Sequence, residues 1–157
     1  MNFSDKEKYS PTELITPQAI KDRVMEFFEG VDLQKIGETR LGVLIIKTKR
    51  YPTRDPIIEH SASVNGLEAA YFQYIDPNVS LEPLEEGKYR QIASYRLHGY
   101  REGRGEASAS YTEYEGKPSE IRIYSPPTAM SGGREGLINT LHEDYQRDVA
   151  EILEIKI

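Results

Sequence analysis

The side chains best suited to binding chemistry lie in two alternating segments, residues 88–101 and 120–125. Alternate positions of the first segment carry guanidinium, imidazole and phenol groups, and the second segment adds an arginine and a tyrosine. A guanidinium is a planar fork that matches phosphate or carboxylate, and a tyrosine adds a flat apolar surface with a hydroxyl. The candidate ligand-binding residues are Arg90, Arg96, His98, Tyr100, Arg122 and Tyr124.

The charge of the first segment favours an anionic ligand. Residues 88–104 hold five basic residues and one acidic residue, a local charge of +4. In a curved sheet, side chains from both segments converge on one concave surface, although the sequence does not fix register. We predict a non-catalytic binding or assembly module whose basic, tyrosine-rich sheet face binds an anionic small molecule or an acidic protein surface. A solvated face, on which Arg and Tyr alternate for solubility and cross-strand packing, explains the same pattern.

The alternative is an enzyme that acts on a phosphorylated or carboxylated small molecule. In that interpretation Arg90, Arg96 and Arg122 hold the anion, and His98 or Tyr100 transfers a proton. Neighbouring arginines favour the neutral imidazole of His98, which leaves a base available near neutral pH. No carboxylate in the sequence obviously orients His98, so the question of catalysis stays open.

Other catalytic and metal-binding patterns are missing from the sequence. The chain has no cysteine, and its three histidines, His60, His98 and His142, follow no metal-ligand spacing. It contains neither a Gly-x-Ser-x-Gly nucleophile elbow nor the Gly-Lys-Ser/Thr of a phosphate-binding loop. We therefore predict no metal and no cofactor.

A second charge pattern suggests self-association. Residues 134–157 carry six acidic and three basic side chains. If the basic strand of one copy faced the acidic helix of another, a homo-oligomer with electrostatic register would form. Pairing within one chain, or a solvated acidic helix face, explains the same counts.

Length and composition limit the class of protein. The 157 residues (17.9 kDa) predict a single domain at 10–157 after a disordered tail at 1–9. Twenty basic and twenty-six acidic residues give a net charge of −6, which argues against a nucleic-acid partner. The chain has no long apolar run and no apolar stretch after its first charges, so we predict a soluble, cytoplasmic protein without a membrane partner.

Residue periodicity predicts a helix at each end of the domain. Between Pro17 and Glu29, apolar residues recur at spacings of three and four, which places them on one helical face. A similar stripe predicts a long C-terminal helix over about 134–153. Its members are Leu137, Leu141, Tyr145, Val149 and Ile152.

Between the helices, the sequence predicts about six strands. The apolar run Gly42–Ile46 is typical of a central strand that is buried on both faces. Asn65-Gly66 favours a two-residue hairpin turn between strands at 57–64 and 68–75. Segments 88–101, 107–114 and 120–125 supply the remaining strands.

These elements define the predicted fold class. An antiparallel sheet needs one covered face, and neither helix can bury its stripe alone. We therefore predict an α+β fold, in which a curved, mostly antiparallel sheet of about six strands carries an N-terminal helix and a long C-terminal helix.

Overall fold

The structure, a computed structural model, describes residues 13–125 and 134–157; the predicted tail at 1–9 lies outside them. The described residues form an open antiparallel sheet of eight strands, in which each strand pairs with its neighbours in the chain. The strands are β1 (Gly37–Leu41), β2 (Leu44–Tyr51), β3 (Ile57–Val64), β4 (Leu67–Ile75), β5 (Arg90–Arg101), β6 (Gly105–Glu115), β7 (Glu120–Ser125) and β8 (Arg134–Leu137). The predicted α+β class is confirmed, with eight strands instead of about six.

Two helices, α1 (Pro17–Glu26) and α2 (Glu143–Leu153), pack against the sheet. The side chain of Thr16 caps α1 by accepting a hydrogen bond from the Ala19 N–H at 3.1 Å, and Pro17 occupies the first turn. Both helices lie on one side of the sheet, which we call the helix face; the opposite side is the outer face. The core between the sheet and the helices includes Ile20, Val24, Ile46, Phe72, Leu97, Ile123, Val149 and Ile152.

The prediction of a central strand at Gly42–Ile46 is correct in that residues 44–46 begin β2, but Gly42 and Val43 form a turn and β2 is not central. Gly42 has a φ of 66°, a conformation that glycine adopts at little cost, and the turn separates β1 from β2. Val43 in this turn is 63% exposed. The hairpin therefore lies at one edge of the sheet, and β2 is the second strand of eight.

The prediction of one long C-terminal helix over 134–153 is also wrong. Residues 134–137 form β8, which pairs with β7, and Ile138–Thr140 form one turn of 3-10 helix before α2 begins. The buried side chain of Gln146 donates hydrogen bonds to the carbonyl oxygens of Ile138 and Leu141, at 3.0 and 2.9 Å. These hydrogen bonds from α2 hold residues 138–141 against the helix. Leu137 and Leu141 therefore belong to the apolar stripe in the sequence, although neither lies in α2.

None of the helices in the described ranges is both long and apolar enough to cross a membrane.

Candidate functional site

Two predicted arginines lie in one row across the outer face. The register aligns Arg96 of β5, Ser110 of β6 and Arg122 of β7. Two strand spacings separate the arginine backbones, a distance of about 10 Å. The alternation in the sequence thus predicted correctly that Arg96 and Arg122 share a face. That these arginines bind a ligand stays a prediction.

The predicted histidine and tyrosines lie in the adjoining rows of the outer face. The register aligns His98 with Ser108 of β6, and Ser108 with Tyr124 of β7. Tyr100 follows on β5 and is 68% exposed. Because both helices pack on the other face, none of these side chains is enclosed between the helices.

Arg90 is separated from the other candidates by a β-bulge. Gln91 pairs with Tyr114 whereas Ala93 pairs with Glu113, so Ile92 is an extra residue in β5. One extra residue reverses the alternation of side chains, which puts Arg90 in phase with the helix face. The prediction that Arg90 shares a face with Arg96 is therefore wrong, because the bulge puts the two side chains on opposite faces of the sheet.

Arg90 instead joins two loops at the far end of β5. Its side chain is 10% exposed, and its Nε lies 3.0 Å from a Glu115 carboxylate oxygen. It also donates a hydrogen bond to the backbone carbonyl of Glu82 and lies 3.8 Å from the Asp55 carboxylate. These contacts give Arg90 a structural role in holding the loops together.

A second bulge brings in a carboxylate that sequence reasoning missed. Ser63 of β3 pairs with Glu68 whereas Ala62 pairs with Ala70, so Ala69 is the extra residue in β4. Without the bulge, Glu68 would alternate in phase with Ala70 on the helix face. The bulge moves Glu68 to the outer face, and no glycine or proline in this strand marks the position.

Glu68 forms an ion pair with Arg96. The Glu68 Oε2 accepts a hydrogen bond from the Arg96 Nη2 at 3.0 Å. The Arg96 guanidinium also stacks over the ring of Tyr71, 4.4 Å from its centroid. Tyr71 in turn donates a hydrogen bond to Glu59 at 3.1 Å, and burial raises the pKa of its hydroxyl. The Arg96 guanidinium is therefore held in place and partly neutralised.

The same carboxylate contacts His98. The Nε2 of His98 lies 3.4 Å from the Glu68 Oε2. Burial is the main cause that lowers the pKa of His98; Glu68 raises this pKa and Arg96 lowers it. The imidazole is therefore favoured in its neutral form near pH 7, as expected from the sequence, although burial contributes more than the arginine does.

Arg122 also has an acidic neighbour. Its Nε lies 3.6 Å from the carboxylate of Glu120 on the same strand. Each arginine of the predicted anion-binding row thus has a glutamate within ion-pair distance.

A cleft of about 840 Å³ opens beside this row, at one end of the sheet. It lies where β4 and β5 diverge, because their pairing ends at Ala70 and Leu97. The bulge at Ala69 falls at this point, and bulges bend the strand that carries them. The cleft is lined by Arg23, Phe27, Val64, Asn65, Leu67, Glu68, Ala69, Leu97, His98, Gly99, Tyr100, Glu106, Ala107, Ser108, Tyr124, Ile152, Leu153 and Glu154.

The charged side chains of the cleft are mainly acidic. Among the described residues that line it, Arg23 is the one arginine. Its guanidinium pairs with Glu154 at 3.2 Å and donates to the Leu153 carbonyl at 3.1 Å. Within residues 13–125 and 134–157, Glu106 has no cation at ion-pair distance. With a neutral His98, the cleft is therefore more favourable to a cation than to an anion.

The acidic C-terminal segment pairs with basic residues of the same chain. Arg104, in the turn between β5 and β6, contacts Asp148 at 2.7 Å and also binds Glu151 on α2. Arg101 lies 3.8 Å from Glu151. Pairing within one chain, one of the alternatives left open by the sequence, thus accounts for these two carboxylates.

The described ranges contain no group of three or more His, Asp or Glu side chains that could hold a metal ion. Comparisons of the chain with protein-family models, curated proteins and solved structures find no match.

Proposed function

We propose that this protein is a non-catalytic binding module whose ligand occupies the cleft between the β3–β4 and β5–β6 hairpins. The observation that carries the proposal is the cleft itself, where apolar walls meet a few convergent polar groups. Ligand sites typically measure about 300–1,000 Å³ and have this mixed lining. Three of the six residues expected from the sequence, His98, Tyr100 and Tyr124, line it.

The ligand we propose is an apolar group that carries a positive charge. Phe27, Leu97 and Ile152 supply apolar surface. Glu106 supplies a carboxylate, and Glu68 supplies a second one that a ligand would share with Arg96. Favourable Coulomb interaction with these carboxylates would attract an ammonium or guanidinium group.

The anionic ligand expected from the sequence is the second candidate. It would lie over the row formed by Arg96, Ser110 and Arg122, where two guanidinium groups share one face. It would have to compete with Glu68 and Glu120 for those guanidinium groups. That competition makes an anion the weaker proposal.

The enzyme alternative draws support from the pair formed by His98 and Glu68. A carboxylate beside an imidazole can orient it for proton transfer, and His98 faces the cleft. Arg90, however, lies outside the predicted arginine clamp, and the other two arginines, Arg96 and Arg122, each pair with a glutamate. A phosphorylated or carboxylated substrate therefore requires that an anion displace these carboxylates.

The test is an NMR titration of the ¹⁵N-labelled protein with phenethylamine, 3-phenylpropionate and inorganic phosphate. The first two probes share a ring and a short chain but have opposite charges. We expect phenethylamine alone to shift the backbone amide signals of Glu68, His98 and Glu106. Glu106→Gln should weaken this binding about threefold or more, because it removes a cleft charge. The matched control Glu86→Gln, in the loop at the opposite end of β4 and β5, should leave it unchanged.

Two outcomes would overturn the cleft proposal. One is that none of the three probes shifts the cleft signals. The other is that phosphate or 3-phenylpropionate shifts the amides of Arg96, Ser110 and Arg122 while phenethylamine shifts nothing. The second result would move the site to the arginine row and favour the anionic ligand or the enzyme.

A further inference from the structure

Within the described part of the chain, the cleft borders strand edges that lack a neighbouring strand. Pairing of β4 with β5 covers Ala70–Tyr74 and Ala93–Leu97, and within the described residues it does not extend to 67–69 or 98–101. On its other side, β5 remains paired with β6 out to Arg101. Residues 98–101 thus form an extended strand with one open edge that borders the cleft.

An open strand edge offers backbone donors and acceptors. In an extended strand, alternate residues direct their N–H and C=O groups to the same side. Two of the four residues 98–101 therefore direct these groups toward the cleft. An extended segment of another chain can satisfy such groups by adding a strand.

The β5–β6 hairpin that carries this edge is anchored. Arg104 in its turn binds Asp148 and Glu151 of α2, and Gly99 lies directly against the end of α2. An edge that is fixed before binding loses little conformational entropy when a partner pairs with it.

Exposed apolar residues extend the surface beyond the cleft. Leu67, in the cleft wall, is 74% exposed, and Tyr100 on the opposite wall is 68% exposed. Leu41 and Val43 of the β1–β2 hairpin are also exposed, and the Asn65 N–H donates to the Val43 carbonyl, which joins the two hairpin tips. Exposed apolar residues on both sides of a cleft suit a chain segment better than a small molecule.

We propose that the cleft binds an extended, basic segment of a partner protein, which pairs with β5 at residues 98–101. On the outer face, its Lys or Arg side chains would meet Glu106 and compete with Arg96 for Glu68. The intervening side chains, which are apolar, would face Phe27 and Ile152 on the helix side of the cleft. This inference rests on the proposed binding function and specifies the chemistry of its ligand.

The experiment uses a display library of random decapeptides selected on the immobilised full chain. We expect enriched peptides in which Lys or Arg alternates with apolar residues. Glu106→Gln should weaken the binding of a selected peptide several-fold, and Glu86→Gln should not. Hydrogen exchange should slow at amides within 98–101 when the peptide is bound.

N-methylation of the selected peptide tests strand pairing directly. Methyl groups on alternate amides remove the donors of one peptide edge, and loss of two hydrogen bonds should weaken binding about tenfold. The same number of methyl groups on the other edge should have a much smaller effect. Failure to enrich any peptide, an acidic consensus, or equal tolerance of methylation on both edges would overturn the inference. If phenethylamine still binds in the cleft, the binding function survives and the ligand is a small amine.

Discussion

His60 is a buried, titratable side chain in the core between β2 and β4. Its Nδ1 lies 3.0 Å from the Thr48 hydroxyl and its Nε2 lies 3.0 Å from the Tyr74 hydroxyl. The imidazole stacks on Phe72, with ring centroids 4.5 Å apart. Burial lowers the pKa of His60 to about 4, because charging the ring there costs solvation.

We expect this lowered pKa to make the fold less stable in mild acid. The unfolded state, with a histidine pKa of about 6.5, binds the proton more tightly than the folded state does. The contribution of His60 to the free energy of unfolding is therefore complete above about pH 6.5 and lost as the pH falls toward 4. The loss should reach about 3 kcal/mol over that window. Urea denaturation at a series of pH values measures it.

Comparison with variants isolates the contribution of His60. His98 also has a lowered pKa, so the informative quantity is the difference between wild type and His60→Gln at each pH. Equal slopes for wild type and His60→Gln would contradict the prediction.

The close approach of α2 to β5 favours a glycine at position 99. A Cβ added there would lie 2.9 Å from the Leu153 Cδ2 and 3.1 Å from the Ile152 carbonyl oxygen. These distances are shorter than ordinary van der Waals contacts. The Leu153 side chain would have to turn away and the backbone at Ile152 would have to move by a few tenths of an ångström, and both residues line the cleft.

Gly99→Ala should lower the free energy of unfolding by about 1–3 kcal/mol, the usual cost of overpacking. Thermal and urea unfolding measure the change. Gly136→Ala is the matched control, because its added Cβ would meet Leu141 at 3.6 Å, which is an ordinary contact. The packing explanation would be wrong if both variants lost the same stability.

The bulges at Ala69 and Ile92 decide the charge of the outer face. One bulge adds the carboxylate of Glu68, and the other removes the guanidinium of Arg90. The arginine cluster expected from the alternation thereby becomes a balanced set of ion pairs.

The two helices support the eight strands of the sheet unevenly. Among the described elements, the helices contact mainly β4 to β7, whereas β1 pairs with β2 alone and has mostly exposed side chains. Edge strands with little buried surface open locally, and strands beneath the helices open only with the whole domain.

Hydrogen exchange should reveal this gradient. We expect paired amides of β5 and β6 to exchange about 100-fold or more slowly than those of β1, because local opening costs several kcal/mol less than global unfolding. Mass spectrometry of peptic fragments measures both. Equal protection of β1 and β5 would mean that the sheet opens as one unit from edge to edge.

Local sequence patterns alone predicted much of the secondary structure. The start of α1 at Pro17, the turn at Asn65-Gly66 and the alternation from Ala93 to Tyr100 agree with the structure. Each depends on neighbouring residues: a proline in the first turn, a turn that needs positive φ, or burial that repeats every second residue. The strand limits at 57–64 and 120–125 also agree.

Tertiary structure alone decided the phase of the strands and the composition of the candidate site. Side chains still alternate on either side of an extra residue at Ala69 or Ile92. The local sequence pattern is therefore compatible with a strand that has the bulge and with one that lacks it. The choice depends on pairing with β3 and β6, and on packing beneath the helices, which residues distant in the chain provide. The placement of Glu68 beside His98, the removal of Arg90 and the opening of the cleft follow from that long-range pairing.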